Sequence, residues 1–296
     1  MVTIQQVCEL LGCPSVEGQI SDVRAITDPL FGKHSLGWCS DKNADSLNSL
    51  IGGFVLVSRE TAARFEKDTH PILLPVENPR AAFREVLLAF FAPKAEYGII
   101  HSSALIHPSV SIDKSTVNIG PNVVIEKDCT IGAFVEIDAN TVVKSGTRIG
   151  SSCKIGANTT ISGVGFGYEQ NESGEYELIP HIGNVEIGNN VEIGNNVCID
   201  RAVLGSTILH DHVKVDNLVH IAHGVVVGKN SLVIANSMIA GSVVIGENVW
   251  VSPSSSIRQK LTVGDNALIG MGAVVVKNVA NEEIVAGNPA KPFEKK

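Results

Sequence analysis

The stretch "LHDHVKVDNLVHIAHGVVVGKNSLVIANSMIAGSVVIG" (209–246) carries an aliphatic residue at every sixth position: Leu209, Val215, Ile221, Val227, Val233, Ile239 and Ile245. The phase runs on through Val251, Ile257, Val263, Ile269 and Val275. An earlier run holds it from Ile119 to Ile161, and it resumes at Ile187, Ile193 and Ile199. A period of six matches neither the 3.6-residue repeat of a helix nor the alternation of a half-buried strand. It fits a parallel β-helix in which each six residues make one short strand and one turn. Three such units close a triangular coil of about 18 residues, with the aliphatic side chain pointing into the prism. The residue that follows is often glycine (Gly120, Gly132, Gly228, Gly246), which leaves room at the corner.

Two interruptions break the phase. "GVGFGYEQNESGEYELIPH" (163–181) is polar and glycine-containing, so it is expected to leave the prism as a loop. "RAVLGSTI" (201–208) reads as a bulged corner. Residues 1–98 lack the period and read as a small α/β domain. "TIQQVCELLG" and "NPRAAFREVLLAFF" suggest helices, "GFVLVS" and "PILLPV" strands. The solenoid is expected over 99–280, with a C-terminal tail at 281–296.

The bulk composition excludes several function classes. Charged residues make up 18% and apolar ones 44%, so a packed interior is expected rather than disorder. A net charge of −8 argues against a nucleic-acid binder. The six cysteines lack C-x-x-C spacing and are expected as reduced thiols. No apolar run approaches the roughly 20 residues that span a bilayer, and the start lacks signal-peptide features, so a cytoplasmic protein is expected.

The pieces "GFGY" (165–168), "IPHIG" (179–183), "IDRA" (199–202), "VDN" (215–217), "IAHG" (221–224) and "IAGS" (239–242) resemble, in order and spacing, the UDP-3-O-(3-hydroxyacyl)glucosamine N-acyltransferases of lipid A biosynthesis. "VENPRAAF" (76–83) is similar to that family's uridine-binding domain. The resemblance implies a left-handed β-helix, a homotrimer, and acyl transfer from a thioester to a nucleotide-linked amino sugar. Two places depart from the family. In "GWCSDKNADSL" (37–47) only Trp38 is available to stack on a base, and a second family histidine aligns with Lys260. The ending "IGMGAVVVKNVANEEIVAGNPAKP" is instead similar to acetyl-CoA-dependent hexapeptide acetyltransferases.

The candidate site follows from phase and resemblance together. His223 lies two residues after the inward Ile221 and matches the family's catalytic histidine, a general base for an attacking amine. A coil of about 18 residues puts Gly241 directly above it, at the position whose backbone N–H is the family's oxyanion donor. Asp216, Asn217, Phe166, Tyr168 and Trp38 are candidates for the nucleotide sugar, or else corner and packing residues. Arg258 and Lys260 are candidates for coenzyme A phosphates, or else solvated charges. His210 and His212 read as surface residues, and His220 either lines the cleft or has no role. No metal site is expected, because no further ligands complete a set. No permanently bound cofactor is expected either; the cosubstrate is acyl-CoA or acyl-acyl carrier protein.

The leading reading is N-acyl transfer to an amino-sugar nucleotide, with an acetyl or short acyl group from CoA favoured by the C-terminal stretch. The alternative is transfer of a long 3-hydroxyacyl group from acyl carrier protein to UDP-3-O-acylglucosamine. A non-catalytic binding or scaffold β-helix is the second alternative.

Overall fold

The computed structural model describes residues 2–65 and 71–293. The chain divides into two compact units, Met1–Ala95 and Glu96–Lys296.

The first unit is built on a four-stranded parallel sheet of Asp22–Val23, Ser35–Trp38, Phe54–Ser58 and Ile72–Val76. Helices Ile4–Leu11 and Pro79–Val86 pack their buried Ile4, Val7, Ala82 and Val86 into one cluster with Leu36, Leu56 and Leu74 of the sheet. Both helices begin at side-chain caps. Thr3 and Gln6 form a reciprocal capping box, and the Asn78 side chain accepts from the Ala81 N–H ahead of Pro79.

The second unit is a left-handed parallel β-helix. Among the described residues its three faces are sheets of nine, eight and ten strands, almost all of two residues. Successive coils pair in parallel, as in Val124 with Val142 and His220 with Met238, an offset of 18 residues. The in-phase aliphatics from Ile119 to Val275 all face inward and are buried. Each fully buried Ile, Leu or Val contributes about 1.5–3 kcal/mol.

The corners are as regular as the core. One residue per turn sits near φ +60°, and it is commonly Asn or Asp (Asn122, Asp128, Asn140, Asn158), which tolerate that region. The residue just before it can hold the stack together through its side chain: the Asn195 N–H donates to Asn217 Oδ1 at 2.7 Å, and the Ser151 N–H to Asn189 Oδ1 at 2.9 Å.

Both interruptions fall at the same corner, between the nine- and eight-stranded faces. The long loop connects strand Thr160–Gly163 to Asn184–Ile187, and the short one connects Cys198–Asp200 to Ser206–Leu209. Across them the coil offset becomes 38 and then 22 residues before returning to 18, yet the inward phase is kept. The long loop folds back as a hairpin of Tyr168–Gln170 against Tyr176–Leu178.

Three boundaries differ from the sequence expectation. The division between units lies at Ala95/Glu96, because Tyr97 packs edge-on against Phe134 and the Gly98 N–H donates to Val117 O, which draws this segment onto the first coil. Gly163 still belongs to a strand, so the excursion starts one residue later. Of the expected tail at 281–296, residues 294–296 lie outside the described residues, and 281–293 are not simply a tail: Ile284–Ala286 pairs with Leu268–Ile269 and Lys291–Pro292 turns back on it, closing the last coil.

Candidate active site

His223 and Gly241 stack in adjacent coils at the corner that carries both loops. The Ser242 N–H donates to His223 O at 2.9 Å, which sets the register. A Cβ built on Gly241 would lie 2.7 Å from His223 Nε2 and 2.8 Å from Cε1, so the imidazole edge occupies the space a side chain would need. Glycine is required here for close approach.

The Gly241 N–H is unspent. At some equivalent corner positions, two residues after the inward aliphatic, the N–H is taken by a side-chain oxygen of the next coil: Asn189 donates to Asp211, Asn195 to Asn217 and Glu247 to Asp265. At others, such as Lys127, Lys229 and Gln259, no acceptor is found among the described residues, as at Gly241. Among the described residues nothing accepts from Gly241, and the coil above offers Gln259 at that place. A free donor thus stands beside a free imidazole.

The His223 imidazole is partly buried. Desolvation, and secondarily the neighbouring His181, hold its pKa below the ordinary histidine value. The neutral, proton-accepting form therefore prevails at neutral pH. Its backbone is held by buried Thr207, whose hydroxyl accepts from the Gly224 N–H at 2.8 Å and donates to Asp200 O at 2.7 Å.

His181 is the residue the sequence reading left unassigned. The long loop returns it to this corner, where its ring meets His223 edge-on with centroids 5.4 Å apart. A carbonyl can only accept, so the 2.7 Å contact from His181 Nδ1 to Ile179 O puts the proton on Nδ1. In the neutral ring Nε2 then presents a lone pair. Gly165 covers both rings; a Cβ there would stand 2.7 Å from His181 Nε2 and 3.0 Å from His223 Cβ. Asp200, also unassigned, is buried one coil below, with Oδ2 3.7 Å from His220 Nε2. The "IPHIG" and "IDRA" pieces contain both residues, but phase alone cannot follow a chain through loops outside the repeat.

The other candidates divide by position. Lys260 stands at the His223 corner, its N–H donating to Gly241 O at 3.0 Å, and Arg258 precedes it; both are exposed. Phe166 and Tyr168 project from the loop with ring centroids 4.9 Å apart. Asp216 and Asn217 lie elsewhere, at the corner between the ten- and nine-stranded faces, a whole strand away from His223. There Asp216 accepts from the Asn217 and Ala235 N–H groups, and Asn217 from Asn195. Asp216 and Asn217 precede His223 by seven and six residues, a full strand-plus-turn step, so they sit one corner back and do not share its corner. His210 and His212 are exposed. Trp38 sits on strand Ser35–Trp38 of the first unit, half-buried against that unit's core. Among the described residues no group of three His, Cys, Asp or Glu is placed to hold a metal ion.

The repeat family "Bacterial transferase hexapeptide (six repeats)" matches residues 128–163 and 242–277. The UDP-3-O-acylglucosamine N-acyltransferase of Campylobacter lari is 33% identical over 282 residues, covering 92% of this chain and 87% of that protein. The chain belongs to this family of hexapeptide acyltransferases. UDP-3-O-acylglucosamine N-acyltransferase 1 of Francisella tularensis subsp. holarctica is 35% identical over 204 residues, covering 62% of this chain and 58% of its own length. The chain thus matches little more than half of that relative. Among solved structures, LpxA of Acinetobacter baumannii superposes with a TM-score of 0.60 at 32% identity, over 66% of this chain and 73% of that one. UDP-N-acetylglucosamine O-acyltransferase of Moraxella catarrhalis does so at 0.60 and 28%, with the same coverage. Among the described residues no helix is long and apolar enough to cross a membrane.

Proposed function

We propose that this protein transfers an acyl group from a thioester to the amine of UDP-3-O-acylglucosamine, with a 3-hydroxyacyl group on acyl carrier protein as donor. The observation that carries the reading is the pairing of a desolvated, proton-accepting His223 with the unspent Gly241 N–H. His223 takes a proton from the amine as nitrogen attacks the thioester carbonyl carbon. The Gly241 N–H holds the oxygen as it gains charge. The C–S bond then breaks, and the thiolate leaves with the proton His223 has carried.

The relatives' names support an acceptor already acylated at its 3-oxygen, which favours the long-chain donor over the acetyl-CoA reading drawn from "AGNPAKP". A second copy of the chain, as in a homotrimer, would supply the outer wall of a cleft that one flat-faced prism leaves open. The test is mass spectrometry of products from UDP-3-O-acylglucosamine with 3-hydroxyacyl carrier protein and, separately, with acetyl-CoA. His223→Ala is expected to lower kcat by about 10²–10⁴-fold with the fold intact. Near-normal turnover in that variant would remove His223 from the mechanism.

A further inference from the structure

We propose that Asp200 and His181 form an amine-binding subsite beside His223, which selects an acceptor bearing an ammonium group over one bearing a hydroxyl. The proposal deepens the amine-acylation reading and rests on it for the identity of the acceptor.

Two observations carry it independently. His181 is 8% exposed, its Nδ1–H is spent on Ile179 O, and its Nε2 lone pair is buried with no donor. Asp200 is 9% exposed, and among the described residues nothing donates a hydrogen bond to its carboxylate. The closest cation-forming group, His220 Nε2, stands 3.7 Å away, beyond hydrogen-bond reach. Arg201, next in the chain, is occupied: Nε donates to Ser162 O at 3.0 Å and an Nη to Ser145 O at 2.9 Å. A buried acceptor such as His181 Nε2 is normally satisfied in native proteins, while the Asp200 side chain keeps 13% of its surface open, so the pair offers one sealed lone pair and one carboxylate that an entering group can reach.

That group must bring donors and no acceptor. An alcohol offers one O–H together with lone pairs that would face a carboxylate. An ammonium offers three N–H donors and a positive charge, and charge-assisted bonds to a carboxylate are the stronger kind. Desolvation raises the Asp200 pKa, with His220 and His181 opposing, and a cation against Asp200 would offset that burial cost. The His181 and His223 rings are in contact, so an amine held here also lies within reach of the base. The bound ammonium gives its extra proton to solvent before attack, and the neutral amine gives the next one to His223.

The experiment is calorimetric titration of the whole protein with UDP-glucosamine and with UDP-glucose at neutral pH, no acyl donor present. The wild type is expected to bind the amine compound at least about tenfold tighter, as a charge-assisted contact implies. Asp200→Asn and His181→Phe should each cut that preference to below about twofold while leaving UDP-glucose affinity unchanged. Equal affinity of the wild type for both compounds overturns the proposal, as does a preference that survives in both variants. Loss of UDP-glucose binding in step with UDP-glucosamine also overturns it, since that outcome marks a structural role. A clear preference without any acyl transfer would sink the proposed activity and leave the subsite standing. Asp200→Asn is expected to fold. A carboxyl whose folded pKa is raised favours the fold at low pH and loses that favour as pH rises, so the amide should match or exceed wild-type Tm at pH 7. The two melting temperatures should converge below about pH 4, where Asp200 is protonated in both states.

Discussion

The proposed base, His223, is tuned by what surrounds it rather than by a hydrogen-bonded partner among the described residues. Desolvation comes first and His181 second in keeping its imidazole uncharged. With the pKa lowered, the neutral base exists at a more acidic pH than for free imidazole. The acid limb of kcat/KM is therefore expected to lie below about 6.5, rising with pH and then level. A limb above that value would contradict a desolvated histidine base. The His223–Gly241 pair was legible because both residues belong to an unbroken 18-residue register. His181 and Asp200 were not, because their place depends on how loops of different length rejoin the stack.

At the scale of elements, the loop opened by "GFGY" supplies His181 and shields it with Gly165. Gly165→Ala puts a methyl group where the two imidazoles meet. A displacement of about 1 Å at a reacting group is enough to lower kcat by roughly 10²-fold. Tm should change little, because the loop lies outside the prism core. A comparable loss in Tm and kcat would instead mean that the loop supports the solenoid. The polar composition of 163–181 marked an excursion, but nothing in it foretold the hairpin or the return of His181. Those depend on pairing between residues that the period does not govern, such as Tyr168 with Leu178. Asp216 and Asn217 show the reverse case. Their spacing from His223 already placed them across a face, and their motif nevertheless grouped them with it.

For the whole molecule, the fold was readable because one physical requirement repeats: every sixth side chain must be apolar and fit the prism. The solenoid's first and last coils were less clear. There, single contacts such as Tyr97 on Phe134 and the final Ile284–Ala286 strand replace the repeat. Assembly belongs to this scale. Light scattering on the purified chain is expected to give three times its 31.3 kDa, and a monomer of full activity would show that the cleft needs no second copy.

The coil offsets of 38 and 22 residues leave the inward phase untouched, since each insertion enters and leaves at one corner. The scaffold therefore treats that corner as a socket. Segments of unrelated length can enter and leave there as cassettes without asking the solenoid to fold anew.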